Sequence, residues 1–403
     1  MIKAKNIDES IKELRIDNQV INDPTNIANK FNSFFTGLAQ SLSIKIPVAE
    51  RSFQSYLSPP SLNSLVVLPT TPSELLTINK SLKASYSAGL DDLAPHIFSP
   101  LMDILASPLS DIINCSLENG EVPLEVKAAK VVPTFKQGSK NEISNYRPIS
   151  VLPFFSKFFE RIMYDRLFLY INDKKLLYPL QHGFQPGHST SMSLLDIQDR
   201  ISKSMDNNEF AIGIFLDLAK AFDSVDHNIL ITKLQHYGIR GESLDWFKSY
   251  LSDRTQRVLC NGSLSNLQQI LFGVPQGSIL GPLLFLLYIN DLPNSSSLLR
   301  FILFADDSNA FLSHSSYDQL IKLANRELIL AADWFKANKL SLNISKTNFI
   351  VFRSSKKIIP TIETELSIDN IIIPKVETSK FLGVLIDQHL KWNSHINAIS
   401  KKL

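Results

Sequence analysis

Cysteine is almost missing from this sequence. Its 403 residues hold two, Cys115 and Cys260, far apart and without partners at metal-ligand spacing. That argues against a disulfide framework or a zinc module and fits a reducing compartment. Long apolar runs are missing too. The longest, "ILGPLLFLLYI", is too short to span a bilayer and carries Gly281-Pro282. The N-terminal stretch "MIKAKNIDESIKEL" lacks the apolar centre of a secretory signal. No internal repeat occurs. Charge is nearly balanced, with 41 Lys and Arg against 39 Asp and Glu, so only the distribution of charge can point to a nucleic-acid partner. These absences leave an intracellular protein with no membrane partner, nucleus or cytoplasm left open. What is present is core material: the chain is 44% hydrophobic, enough for two or three domains or subdomains.

Residues 25–42 carry Ile27, Phe31, Phe34, Leu38 and Leu42 at helical spacing after Asp23-Pro24, so an amphipathic helix is expected. A segment with Pro47, Pro59, Pro60, Pro69 and Pro72 follows and reads as a linker or extended arm. Further on, "AKVVPTF" suits a short strand. "FFSKFFERIMYDRLFLYIND" suits a helix with Phe155, Phe159, Met163 and Leu167 on one face. "AIGIFLD" is a continuous apolar run ending in Asp217, the pattern of a strand buried on both faces. Asp226 caps the helix expected in "DHNILITKLQHYG". Asn261-Gly262 marks a hairpin. Ser316 and Gln319 form a capping box ahead of a long helix striped by Leu320, Ala324, Leu328, Ala331 and Phe335. "NFIVF" and "FLGVLID" return to strands. Strands and helices mix without βαβ alternation, so the class is α+β. Ile396, Ile399 and Leu403 keep helical spacing to the last residue, so the expectation is a fragment whose final helix continues elsewhere.

The chemistry centres on "RFILFADDSNAFLS", residues 300–313. Two apolar strands flank "ADDS", a turn in which Asp is at home. Asp306 and Asp307 then sit at a hairpin tip, and Asp217 ends another strand. If those strands are neighbours, three carboxylates converge and their repulsion calls for a cation. Oxygen-only ligands with room for water and phosphate select Mg²⁺ over Zn²⁺. Two such ions, roughly 3.5–4 Å apart, clamp the attacking and leaving oxygens of a phosphoryl transfer. A lone Asp-Asp in a turn is more often a solvated loop. Asp91-Asp92, in "YSAGLDDLAPH", has no strand on either side and receives that plain reading.

In that order, "FLDLAKAFDSVDH" (215–227), "GVPQGSILGPLLF" (273–285) and "FADD" (304–307) resemble the successive palm motifs of reverse transcriptases. Their wording looks most like the non-LTR (LINE-type, jockey-like) retrotransposon branch. "VVPTFKQGSKNEISNYRPISVLPFFSKFFERI" (131–162) resembles the fingers motif, and "QHGFQPGHSTSMSLLDI" (181–197) the motif before the palm. "LSLNISKT" (340–347) and "KFLGVLID" (380–387) resemble the last two palm motifs. The similarity runs from about 85 to 390. It implies a right-hand polymerase with fingers and an antiparallel palm sheet flanked by helices, the thumb largely missing. Residues 1–84 would be an N-terminal extension, 85–389 the reverse transcriptase domain, and 390–403 the start of a thumb helix.

The resemblance also implies roles. Asp217 and Asp306 would bind two Mg²⁺ ions (Mn²⁺ as a substitute), with Asp307 beside them and the Leu218 carbonyl as a backbone ligand. Phe222 would pack under the sugar and select deoxynucleotides by shape. Lys136 and Arg147 would grip the triphosphate, and Gln276 and Gly277 would approach the incoming base pair. Lys346 would donate a proton to pyrophosphate. RNA template, DNA primer and dNTP would be the partners, with the element's own RNA in a ribonucleoprotein. A basic run from Trp334 to Pro360, with Lys336, Lys339, Lys346, Arg353, Lys356 and Lys357 and no acid, suits a nucleic-acid track.

The turn reads FADD, where many relatives have Tyr first, and Gln185 stands where the branch commonly carries Arg. No endonuclease, RNase H or Cys/His knuckle is apparent. The implied reaction is RNA-directed DNA synthesis. Two other readings are a catalytically weak or inactive nucleic-acid-binding remnant of a retroelement, and a metal-dependent nuclease on the same carboxylates. Primer extension without and with the carboxylates separates the first, and degradation without dNTPs the second.

Overall fold

The computed structural model describes residues 11–16, 19–82, 85–360 and 365–401. The N-terminal decapeptide and Leu403, used above, lie outside them. The chain divides into two compact units.

The first unit draws on Met1–Ser41, Leu62–Tyr170 and Gly238–Gly281. Its sheet orders Tyr146–Val151, Ala128–Phe135, Thr255–Cys260 and Ser263–Leu264 side by side. The first pair is an antiparallel hairpin, and Ala128–Phe135 runs parallel to Thr255–Cys260. Alternation buries Ala129 and Val131 while Val132 faces outward. The helix Pro24–Ser43 lays Ile27, Ala28, Phe31 and Phe35 on the buried face, in one cluster with Tyr146 and Val258. The stripe passes through Phe35 rather than the expected Phe34, because the i+4 row from Ile27 and Phe31 is the one turned inward. Asn261 and Gly262, at φ 50° and 77°, make the expected hairpin turn. The helix Ser156–Asp173 buries Phe159, Met163 and Leu167 as expected, and also Phe158 and Ile162, whereas Phe155, expected on the same face, precedes the helix and is half-buried. Cys115 and Cys260 are both free, and burial pushes the Cys260 thiol up to about 11.

The second unit draws on Leu42–Ser61, Ile171–Tyr237 and Pro282–Leu403. Its centre is an antiparallel sheet in the order Asn348–Phe352, Phe210–Leu216, Asp307–His314, Arg300–Phe304. All seven residues of Phe210–Leu216 are buried, which is why that run shows no polar alternation. One face packs Ala211, Phe215, Phe311 and Ile350 against Ile197 and Ile201 of the helix Thr190–Asp206. The helix Tyr317–Ala337 also packs against the sheet. Ser316 caps it, and Leu320, Ala324, Leu328, Ala331 and Phe335 are all buried. Asp226 caps the helix His227–His236 as expected. "FLGVLID" is not one strand: Leu382 and Gly383, at φ 45° and 89°, turn it into the hairpin Thr378–Phe381 with Val384–Asp387.

The proline-rich segment is irregular but tied down within each unit. In the second, Asp333 accepts from the Glu50 and Arg51 amides at 2.6 and 3.1 Å and from the Tyr56 hydroxyl at 2.7 Å. In the first, Arg166 donates to the Leu68 and Pro69 carbonyls and to Glu74. Among the described residues, no helix is long and apolar enough to cross a membrane.

Candidate active site

Strand register brings the backbones of the three aspartates near one another in the second unit. Ser308 pairs with Leu216 and Phe304 with Asp307. One more rung sets Asp307 opposite Asp217, and Asp306 follows in a two-residue turn with Ala305. Opposed antiparallel residues have Cα atoms about 4.5–5.5 Å apart and successive ones 3.8 Å, so the three Cα positions lie within about 10 Å. Asp306 and Asp307 are exposed and Asp217 half-buried. Asp91 instead accepts from the Leu93 amide at 3.3 Å in its own loop.

The segment Leu340–Thr347 holds the end of the central strand. Asn343 donates its amide to the Asp217 carbonyl at 2.8 Å, and Ala219 donates to the Ser341 carbonyl at 2.9 Å. Leu218 bridges Leu342. The Asp217 amide donates to Thr347 Oγ1 at 3.3 Å. This arrangement carries Lys346 Nζ to 4.0 Å from Asp217 Oδ2, both partly exposed. Phe222 lies in the short 3₁₀ turn Ala221–Ser224, stacked on Phe285 at 4.6 Å and edge-on to Phe184 at 6.0 Å.

The hairpin tip is strained and buttressed. Ala305 has φ 55°, a left-handed backbone costing roughly 1–2 kcal/mol for a residue with a Cβ. Its amide donates to Gln181 Oε1 at 3.0 Å. Leu303 donates to the Leu180 carbonyl and His182 to the Leu303 carbonyl, at 2.9 and 2.8 Å. The stretch Leu180–Gly183 thus lies along the outer edge of Arg300–Phe304. The motif beginning at Gln181 was visible in the sequence, but nothing there shows that it holds the turn.

The remaining expected residues gather in the first unit. Lys136 and Arg147 are exposed on the hairpin of Ala128–Phe135 and Tyr146–Val151, and the Lys136 amide donates to the Asn145 carbonyl at 2.9 Å. Gln276 accepts from the Ser150 amide at 2.8 Å. Gly277 has φ 119°, and a Cβ there would stand 2.6 Å from the Ser150 carbonyl oxygen. The close approach therefore requires glycine. The expected set thus falls into two groups: Asp217, Leu218, Phe222, Asp306, Asp307 and Lys346 in the second unit, Lys136, Arg147, Gln276 and Gly277 in the first.

The basic run is more committed than its sequence suggests. Lys336 is paired with Asp369, and Lys339 with Asp226 at 2.7 Å. Arg353 donates to Gln388 Oε1 at 2.6 Å, and Lys357 lies 4.0 Å from the Phe210 ring centre. The acids absent from the run come from elsewhere in the fold.

An antiparallel sheet with acidic ends on its two central strands, packed on helices, is the palm of a right-hand polymerase. The chain belongs to the reverse transcriptase (RNA-dependent DNA polymerase) family, which it matches over residues 136–386, more than half its length. It is 29% identical over 360 residues to the probable RNA-directed DNA polymerase from transposon BS of Drosophila melanogaster, covering 86% of this chain and 39% of that protein. It is 26% identical over 363 residues to the RNA-directed DNA polymerase from mobile element jockey of the same species, covering 87% and 39%. The chain thus spans about two fifths of the length of these relatives. Among solved structures, telomerase from Candida albicans aligns with a TM-score of 0.44 at 14% identity, over 68% of this chain and 46% of that one.

The family generally uses divalent metals. Among the described residues, no three His, Cys, Asp or Glu side chains stand close enough together to hold a metal ion. The side chains that the register places nearest one another there, Asp217, Asp306 and Asp307, offer oxygen only, the donor type of a hard divalent cation.

Proposed function

We propose that the chain is an RNA-directed DNA polymerase acting in non-LTR retrotransposition, with residues 85–389 as its catalytic domain, 1–84 as an N-terminal extension and 390–403 as the start of a thumb helix. The observation that carries this is the register that sets the Asp306–Asp307 hairpin against Asp217. Asp217, Asp306 and the Leu218 carbonyl would hold Mg²⁺, with Mn²⁺ as a substitute and Asp307 beside them. When bound, such ions lower the barrier to attack of a primer 3′-hydroxyl on a dNTP by neutralising charge on the phosphates.

The chain's own side chains supply the rest. Lys346, 4.0 Å from Asp217, is near enough to the carboxylates to protonate the pyrophosphate oxygen. Phe222, stiffened by Phe285, sits where a ring would exclude a 2′-hydroxyl. Lys136 and Arg147 would contact the triphosphate, and the Gln276–Gly277 backbone the nascent base pair. Template and primer would be held mainly through phosphates, so affinity falls with salt. The template RNA would include the element's own transcript, as a ribonucleoprotein.

Primer extension on poly(rA)/oligo(dT) tests the reading. The wild-type chain is expected to extend with dTTP and divalent ion, and Asp306→Ala to bind the duplex without extending it. Binding without extension by the wild type would leave a nucleic-acid-binding remnant instead. Loss of labelled primer without dNTPs would point to a nuclease.

A further inference from the structure

The stretch Leu180–Gly183 has no role in the reading above, yet it touches the hairpin that carries Asp306. Gln181 is 2% exposed. Its Oε1 accepts twice, from the Gly183 amide at 2.9 Å and the Ala305 amide at 3.0 Å. The same residue forms a parallel bridge with Leu303. Gly183 lies so close to the turn that a Cβ there would stand 2.3 Å from the Ala305 nitrogen and 2.9 Å from the Phe304 carbonyl carbon. Ala305, between them, holds a left-handed φ of 55°. An alanine in that conformation has an extended alternative that would redirect the next residue. The next residue is Asp306.

We propose that Gln181 is the positioning residue of the acidic hairpin: its side-chain carbonyl fixes the Ala305 amide and so sets where the Asp306 carboxylate points. The inference rests on the assignment of Asp306 to the polymerase site and adds a residue to it. Gln181 touches no reacting atom. Its Oε1 satisfies a buried amide that would otherwise drive the turn to rearrange, and the absent side chain of Gly183 leaves the room for that contact.

The test uses the full chain and four forms: wild type, Gln181→Met, Ala305→Gly and the double variant. Methionine keeps the volume and removes the acceptor. Glycine adopts positive φ without support. In primer extension, Gln181→Met is expected to lower kcat about 10- to 100-fold, the scale of an ångström-sized misplacement, with KM for dTTP changed less than about threefold, the scale left when ground-state binding is retained. The double variant is expected to recover most of that loss. Hydrogen exchange, which needs no activity, is expected to quicken at the 304–306 amides in Gln181→Met while protection of the central strand 210–216 is unchanged.

A Gln181→Met chain that extends at the wild-type rate overturns the proposal. So does a deficit that Ala305→Gly does not relieve, or exchange that quickens across the whole sheet. If Gln181→Met fails to fold, the double variant must fold, and its failure assigns Gln181 to general stability instead. A wild-type chain that does not extend at all refutes the polymerase reading, and the exchange experiment then still judges the hold on Ala305.

Discussion

Replacing Asp291 by Asn should destabilise the second unit sharply, because it breaks a fully buried ion pair. Lys233 is 0% exposed and Asp291 3%. Lys233 Nζ donates to Asp291 Oδ1 at 2.5 Å and to the Tyr288 carbonyl at 2.6 Å, and it lies 5.0 and 5.1 Å from the Tyr288 and Trp334 ring centres. Trp334 Nε1 donates to the other Asp291 oxygen at 3.1 Å. Burial pulls the Lys233 pKa down and the Asp291 carboxylate opposes it. Asp291→Asn keeps an acceptor for Trp334 but leaves an uncompensated ammonium, which costs about 3–5 kcal/mol. With a urea slope of about 3 kcal/mol/M, the midpoint falls by about 1–1.7 M. Lys233→Met should cost a similar amount by stranding the carboxylate. The double variant Lys233→Met/Asp291→Asn buries no net charge and should be more stable than either single. In Asp291→Asn, Lys233 sheds its proton in the native state at lower pH than in the unfolded chain, so the deficit should shrink as pH rises toward the ordinary lysine range. Urea titrations followed by tryptophan fluorescence, with Trp246→Phe in all four forms so that the signal comes from the second unit, measure the series. Additive losses, with the double worse than both singles, would refute the reasoning.

Two further outcomes are expected. Phe222→Ala removes the ring stacked on Phe285 and should raise ribonucleotide over deoxynucleotide incorporation by about 10-fold or more, measured as the ratio of extension with UTP and dTTP; an unchanged ratio would remove Phe222 from sugar selection. Hydrogen bonds from Arg166 hold the half-buried Glu74 carboxyl below the usual carboxylate range, so its stabilisation is complete above about pH 4.3 and lost as pH falls through the native value. The wild-type advantage in urea midpoint over Glu74→Gln should therefore stay constant above about pH 5 and shrink as pH falls below about pH 4.3.

What could be read from the residues, and what could not, follows from the range of the interactions. The run "AIGIFLD" announced a strand buried on both faces because no polar residue interrupts it. Ser316, Asp226 and Asn261-Gly262 announced their cap and turn positions because those signals act within four residues. The pairing of Asp217 with the FADD hairpin joins positions 89 apart and was readable only through the order of motifs. Three features were not readable. The anchoring of the proline-rich segment depends on Asp333, almost 300 residues away. The break at Leu382-Gly383 looks in sequence like an ordinary strand glycine. The hold of Gln181 on Ala305 needs a backbone angle that Ala does not advertise.

The central claim is that Asp217 and the Asp306 hairpin act as one divalent-ion site. A crystal of the chain grown with Mn²⁺ and examined by anomalous scattering tests it directly. The expected result is a manganese peak with oxygens of both Asp217 and Asp306 at about 2–2.5 Å, lost in Asp217→Asn. Manganese bound elsewhere, or side chains of Asp217 and Asp306 that stay more than about 10 Å apart, beyond any shared ligand, would contradict it.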